Sequence, residues 1–120
     1  MIKLIIPGRL PGLNEYTKAC RANRYAGAKM KEEAEKVICW EIKRQLGSKA
    51  FTAVTLRFSW YEPNKRRDYD NIAFAKKFVL DSLQACLTLS GDGWKYIKGF
   101  SNEFYVDKKN PRVEIEISEV

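Results

Sequence analysis

The chain has 120 residues, of which 45% are hydrophobic and 31% are charged, and this composition is typical of one soluble globular domain. No apolar run approaches the ~20 residues that span a bilayer. The chain contains no histidine, which excludes a Ser-His or Cys-His nucleophilic relay, a histidine-ligated zinc site and a nuclease with a histidine base.

The net charge of +7 is unevenly distributed, because the first 49 residues hold 11 Lys or Arg and only 5 Glu. Such asymmetry favours a polyanionic partner, although surface charge that only keeps the protein soluble is an equally good interpretation. The short apolar N-terminus does not have the pattern of a signal peptide. Three scattered cysteines, Cys20, Cys39 and Cys86, form no C-x-x-C pair, so we expect reduced thiols and a cytoplasmic location.

The N-terminal part of the chain contains one predicted strand and one long predicted helix. Residues 2–6 are apolar enough for a strand, which ends at a segment rich in Pro and Gly. Residues 13–26 are polar, basic and aromatic and indicate a surface loop or short helix, where binding groups are common. Apolar residues at three- and four-residue intervals then predict a helix from about residue 28 to residue 46.

The remaining elements complete a small sheet. Alternating residues predict a strand over 52–61, a second helix runs from about 70 to 87, and two more strands follow near 95–106 and 112–118. The order β-α-β-α-β-β predicts an α/β fold of the α+β-like kind. We expect a single domain over residues 1–120, with a mixed four-stranded sheet and two main helices packed on it.

The most informative motif is Lys65-Arg66-Arg67-Asp68-Tyr69-Asp70-Asn71, between a predicted strand and a predicted helix. In an extended segment, Asp68 and Asp70 would point to the same side. Two carboxylates that face one way repel each other unless a cation lies between them, and Mg²⁺ takes such oxygen ligands. Arg66 and Arg67 offer forked donors that suit phosphate. The motif therefore indicates metal-assisted chemistry on a nucleic-acid backbone.

The predicted second helix places further polar groups beside this motif. Asp70, Phe74, Lys77 and Asp81 lie on the face opposite the apolar stripe. Lys76 points closer to that stripe, so Lys77 is the better candidate to act beside Asp70. A purely structural interpretation is equally good at this stage: Lys77 and Asp81 would form an exposed i,i+4 ion pair, and Asp70 would be a helix N-cap.

Asp92 lies between two glycines in a predicted turn, where an aspartate is most often only a turn residue. A helix of about 16 residues spans ~24 Å, so Asp92 starts far from Asp70. It can join Asp68 and Asp70 only if the chain turns back or if a partner subunit supplies it.

These residues resemble the motif of the RusA family of Holliday junction resolvases, and the sequence is similar in particular to phage- and prophage-borne members. The residues that carry the resemblance are Arg66, Arg67, Asp68, Asp70, Asn71, Lys77, Asp81, Leu83 and Asp92. The resemblance extends over most of the chain, because the Pro11–Asn14 segment also fits. It implies a homodimeric endodeoxyribonuclease that depends on Mg²⁺, with Mn²⁺ as a substitute. Such an enzyme resolves four-way DNA junctions by paired symmetric nicks in recombination and repair.

The resemblance also assigns roles to individual residues. It implies that Asp68, Asp70 and Asp92 bind the metal and that Lys77 is the essential lysine. The chain departs from the family pattern here, because the family's lysine usually follows the second aspartate after four residues, where this chain has Phe74. We expect DNA contacts from Lys65, Arg66, Arg67, Asn14, Arg21, Arg24 and Lys76.

Two other functions remain open at this stage. The first is a catalytically inactive protein of the same fold that binds junctions or other nucleic acids. The second is an RNA-binding or partner-recruiting module in which the aspartates are only caps and turns. A cleavage assay separates the first from a nuclease, and competition between junction DNA and RNA hairpins tests the second.

Overall fold

The computed structural model describes residues 1–120, and in it two pairs of helices separate the first three strands along the chain. The elements are β1 Ile2–Pro7, α1 Leu13–Ala22, α2 Arg24–Leu46, β2 Val54–Glu62, α3 Tyr69–Ala73, α4 Lys76–Ala85, β3 Ile97–Val106 and β4 Arg112–Glu119. None of the helices combines the length and the apolar composition that crossing a membrane requires.

The four strands form one mixed sheet in the order β1-β4-β2-β3. β4 pairs antiparallel with both β1 and β2, whereas β2 and β3 are parallel and are joined through α3 and α4. The predicted fold class is therefore confirmed: the chain is a single mixed α/β domain with a four-stranded mixed sheet.

The sheet is buried on one face only. Alternate residues of β2, such as Leu56, Phe58 and Trp60, are buried beneath the helices, as period-two alternation requires. The other face carries charged groups, among them Arg57, which forms ion pairs with Glu103 and Glu116. The helices thus form one layer on the buried face of the sheet. The other face of the sheet is polar.

Helix α2 is longer than its predicted span because its start has an effective cap. The Asn23 side chain accepts hydrogen bonds from the backbone N–H groups of Tyr25 and Ala26, at 2.9 Å each. An asparagine in this position satisfies N–H groups that have no partner within the helix. The segment before it, predicted as a loop or short helix, contains helix α1.

The second predicted helix is interrupted. Between α3 and α4 the backbone forms hydrogen bonds from Ala75 N–H to the Ile72 carbonyl at 3.2 Å and from Lys77 N–H to the Phe74 carbonyl at 3.0 Å. Bonds over three residues are those of a 3₁₀ turn, which is tighter than an α-helical turn. The single helix predicted over 70–87 is therefore two short helices with a tight turn between them.

Candidate functional site

The sheet topology places the basic and acidic motif at the end of two parallel strands. Glu62 at the end of β2 is the register partner of Val106 at the end of β3. The segment 63–68 leaves the sheet at this point and enters α3. Because the carboxyl ends of parallel strands lie at the same edge of a sheet, this edge is a common place for ligands in α/β folds.

Asp68 and Asp70 lie on either side of the start of α3. Asp68 occupies the N-cap position, with φ −71° and ψ 159°, but its side chain makes no capping hydrogen bond. Asp70 lies in the first helical turn, so the interpretation of Asp70 as the N-cap is wrong. Both side chains are exposed and neither takes part in a hydrogen bond or an ion pair. The two carboxylates at the start of this helix therefore have no hydrogen-bond or ion-pair partner in the protein.

The expectation that Asp68 and Asp70 share one side of an extended segment is wrong, because α3 already begins at Tyr69. Asp68 instead lines a cavity of about 720 Å³ that we call the aromatic cavity, together with Lys65, Tyr69 and other residues. Asp70 lines a second cavity of about 650 Å³, the lysine cavity, together with Lys77. The two carboxylates thus flank the first turn of α3.

The lysine cavity brings Asp70, Phe74 and Lys77 together, as the helical-face argument predicts. Lys77 is exposed and donates a hydrogen bond to the Asp81 carboxylate at 3.2 Å. Asp81 is also 3.2 Å from the ammonium of Lys31 on α2. Asp81 therefore has a second cation beside it. If Lys77 moves away, the Asp81 carboxylate still has Lys31 as an ion-pair partner.

Lys76 has a different environment from its neighbour Lys77. It is half-buried, and its ammonium lies over the ring of Phe100 at 4.4 Å from the centroid. Burial lowers the pKa of Lys76 below the usual lysine range. Lys76 also lines the lysine cavity, but its ammonium is directed to β3, whereas that of Lys77 is paired with Asp81.

Arg67 and Arg66 differ in how far their side chains are engaged. Arg67 is largely buried, donates to the Leu10 carbonyl at 3.1 Å and binds the Glu15 carboxylate. Burial, with a smaller contribution from Arg9, lowers the pKa of Arg67. The Arg66 side chain is exposed and has no such partner, and the same holds for Lys65. Lys65 and Arg66 are therefore the free cations of the motif, and Arg67 fastens the motif to the N-terminal segment.

Asn71 provides a second attachment between the motif and the N-terminal segment. Its Oδ1 accepts a hydrogen bond from the backbone N–H of Asn14 at 2.9 Å. A Cβ atom on Gly12 would lie only 2.6 Å from the same oxygen, so this approach requires glycine. The Pro11–Asn14 segment thus packs directly on the motif, and the contact from Asn14 is made by its backbone.

Asp92, Arg21 and Arg24 lie outside the linings of both cavities. Asp92 is exposed in its turn, and no group of three or more Cys, Asp or Glu side chains of the chain is arranged to hold a metal ion. The three predicted metal ligands are therefore not brought together within one chain. Arg21 and Arg24 are exposed, and Arg24 donates to the Tyr25 hydroxyl at 2.8 Å.

The donors at α3 can still be compared with the requirements of Mg²⁺. This ion is usually held by one or two carboxylates, and water and substrate phosphate complete its shell. The uncommitted oxygens of Asp68 and Asp70 fit that chemistry in type and number. A third carboxylate from the same chain is not part of the group.

No known protein family matches this sequence, and no characterised protein gives a significant match. The sequence did not predict the contacts of Arg67 with Glu15, of Lys31 with Asp81 and of Tyr69 with Phe104. Each joins residues that are distant in the sequence and carries no local pattern.

Proposed function

We propose that this protein is a metal-dependent endodeoxyribonuclease of the RusA type that resolves four-way DNA junctions in recombination and repair. The observation that carries the proposal is that Asp68 and Asp70 have no protein partner, next to the equally free Lys65 and Arg66. By contrast, Asp81 is paired with lysines and Asp107 with Arg112. Free carboxylates beside free cations suit a site whose partners are a metal ion and a phosphate.

In this proposal Asp68 and Asp70 hold Mg²⁺, or Mn²⁺ as a substitute. When bound there, the cation would stabilise charge at the phosphate and would lower the pKa of a water molecule. Lys65 and Arg66 bind the phosphate backbone and orient it; Arg66 can do so through two parallel N–H donors. Because the chain has no histidine, proton movement depends on water, carboxylates or lysine.

Lys77 is proposed to stabilise the negative charge that develops on the reacting phosphate. It shares the lysine cavity with Asp70, and preorganised positive charge near the reacting oxygens is among the largest contributions to catalysis. Its departure from Asp81 is made easier by Lys31, which is already 3.2 Å from that carboxylate. Lys31 and Asp81 are thus positioning residues for Lys77.

A homodimer, proposed to be cytoplasmic, completes this function. A two-fold symmetric dimer suits a junction in which two opposed strands are cut, since each subunit can serve one strand. Asp92 does not join the other aspartates within one chain, so any part it plays at their site requires the Asp92 of a second subunit.

The absence of a three-acid group within one chain favours a second candidate function. In this alternative, the protein binds branched or single-stranded nucleic acid through Lys65 and Arg66 and does not cut it. The two candidates make the same prediction for binding and opposite predictions for cleavage.

The test is cleavage of a synthetic mobile four-way junction, compared with a linear duplex of matched sequence, with Mg²⁺ and with EDTA. We expect symmetric nicks on the junction alone and only with Mg²⁺. Asp70→Asn removes a metal ligand while keeping the shape, so we expect cleavage to fall below detection and junction affinity to stay within about twofold. Asp107→Asn makes the same chemical change at a paired aspartate and should still cut. Tight junction binding without nicks would establish the second candidate, and equal loss of binding and cutting in Asp70→Asn would contradict the metal-ligand role.

A further inference from the structure

The aromatic cavity contains a feature that the proposed cleavage chemistry does not use. Tyr69 lies between Asp68 and Asp70, and its ring stacks on that of Phe104 of β3, with centroids 4.3 Å apart and planes inclined by 15°. One face of the Tyr69 ring is thus covered by Phe104. The residue is nevertheless 69% exposed, so its other face is open to solvent, and Tyr69 is one of the residues that line the aromatic cavity.

An exposed tyrosine held in this way is a preorganised stacking surface. Phe104 fixes the plane of the Tyr69 ring from below, and Phe104 itself is half-buried between sheet and helix layer. A flat ring of fixed orientation loses little freedom when a second flat ring stacks on it. A planar heterocycle that stacks on this ring gains binding free energy from its fixed plane, whereas an aliphatic ligand does not.

The polar groups of the cavity narrow the class of ligand. Lys65 lines the cavity, is exposed and has no protein partner. On the wall, the buried carboxylate of Glu62 accepts a hydrogen bond from Arg9 through Oε1 at 2.9 Å, and its Oε2 has no such bond. The cavity thus offers an aromatic face, a cation that suits phosphate, and an acceptor for an N–H donor.

We propose that the aromatic cavity binds one unstacked nucleobase on the free face of Tyr69, with the phosphate of that nucleotide on Lys65. A volume of about 720 Å³ is within the range of small-molecule sites. Because every natural base has a flat face and an N–H donor, the site is expected to tolerate any base. The inference rests on the proposed function, since the base must come from the DNA that the protein binds, and its extrusion from the stack costs a few kcal/mol.

The experiment measures binding in EDTA, so that no result depends on cleavage. A fluorescently labelled six-nucleotide single strand is compared with the same strand in which every base is replaced by an abasic residue. We expect the wild-type protein to bind the strand with bases about tenfold more tightly than the abasic strand. Tyr69→Ala should lose that preference without weakening binding of the abasic strand, and Tyr69→Phe should retain the preference.

Trp40→Ala is the matched control, because Trp40 is 62% exposed on α2 and lies against Arg44. It should leave the base preference unchanged. The site is ruled out if wild type does not distinguish the two strands, binds neither, or keeps its preference in Tyr69→Ala. Junction cleavage is measured separately: nicking without base preference overturns this inference alone, and base preference without nicking supports it while contradicting the nuclease assignment.

Discussion

At the scale of single residues, two adjacent arginines of the motif have different environments. Arg67 is engaged by Glu15 and by the Leu10 carbonyl and is largely buried. Arg66 projects into solvent without a side-chain partner. The two arginines thus have different roles, because the backbone directs the Arg67 guanidinium to the N-terminal segment and the Arg66 guanidinium away from the protein.

This difference gives a prediction for the two alanine variants. Arg67→Ala should lower the free energy of unfolding by about 1–3 kcal/mol, because the part-buried Leu10 carbonyl loses its donor and Glu15 loses its ion pair. Arg66→Ala should change it by less than about 0.5 kcal/mol but weaken DNA binding. Urea denaturation and a binding titration of both variants check this. Equal destabilisation by the two substitutions would show that Arg66 also has a structural partner.

The cysteines give a prediction with a pH dependence. Burial, with a smaller contribution from a hydrogen bond with Cys39, raises the pKa of Cys86 to about 11. The reactive form of a thiol is the thiolate, which at pH 8 is then about one part in a thousand of Cys86. A thiol reagent at pH 8 should therefore label the exposed Cys20 well before Cys86, and the rate at Cys86 should rise about tenfold per pH unit towards pH 11. Site-resolved mass spectrometry follows the two rates, and rapid labelling of Cys86 in the folded protein at pH 8 would contradict the shift.

At the scale of elements, a side chain of α2 forms hydrogen bonds with backbone groups on the exposed edge of β1. Gln45 accepts from the Ile5 N–H at 2.9 Å and donates to the Ile5 carbonyl at 2.7 Å. Its amide also donates to the Glu41 carboxylate at 2.8 Å. An edge strand otherwise presents unpaired backbone groups, which can pair with another chain. Gln45 thus acts as a one-residue substitute for a further strand.

Gln45→Leu should lower the free energy of unfolding by about 1–2 kcal/mol, since it keeps the apolar bulk and removes both backbone hydrogen bonds. Gln84→Leu is the control, because Gln84 is exposed on α4 and its side chain makes no hydrogen bond. Thermal or urea unfolding of both variants tests the difference. Comparable stability of the two would mean that water satisfies Ile5 equally well.

Lys76 and Lys77, which are adjacent on α4, provide a further prediction, which rests on the proposed nuclease activity. Lys77→Ala should reduce the rate of junction cleavage at least tenfold, because Lys77 lines the same cavity as Asp70 and supplies positive charge there. Lys76→Ala should have a smaller effect on this rate and should mainly remove the contact with Phe100. Single-turnover cleavage at saturating protein separates chemistry from binding. The reverse order of effects would identify Lys76 as the residue beside the reacting phosphate.

The elements also show which parts of the structure local sequence patterns predict. Strand β2 and helix α2 follow alternation and helical periodicity, which are properties of neighbouring residues, and so does the placement of Lys77 in the same cavity as Asp70. The break after α3 carries no Gly or Pro signal; there Phe74 packs against Tyr16 of α1, with ring centroids 5.4 Å apart. Likewise, the stacking of Tyr69 on Phe104 depends on the parallel pairing of β2 with β3. Contacts set by tertiary packing have no local signature.

At the scale of the whole molecule, positive charge and the candidate site are adjacent. The N-terminal 49 residues carry most of the net charge of +7 and form β1, α1 and α2. Helix α1 contacts both α2 and α3. Lys31 of α2 reaches Asp81 beside Lys77. The opposite face of the sheet instead pairs its charges internally, as Arg57 does with Glu103 and Glu116. The excess charge is thus available on the helix side of the domain.

If this charge binds the phosphates of DNA, its position must matter as well as its amount. Removing Arg21 and Arg24 together should weaken junction binding and reduce the slope of log Kd against log salt by up to about 2, since each phosphate contact contributes about 0.9 to it. The control removes Lys43 and Lys49, which are equally exposed. Lys43 lies ~28 Å along α2 from Arg24, at a rise of 1.5 Å per residue. This second double variant changes the net charge by the same amount, so its slope should stay close to that of wild type. Equal slopes for the two variants would mean that the basic surface acts only through total charge, as it would in a protein that is merely kept soluble by it.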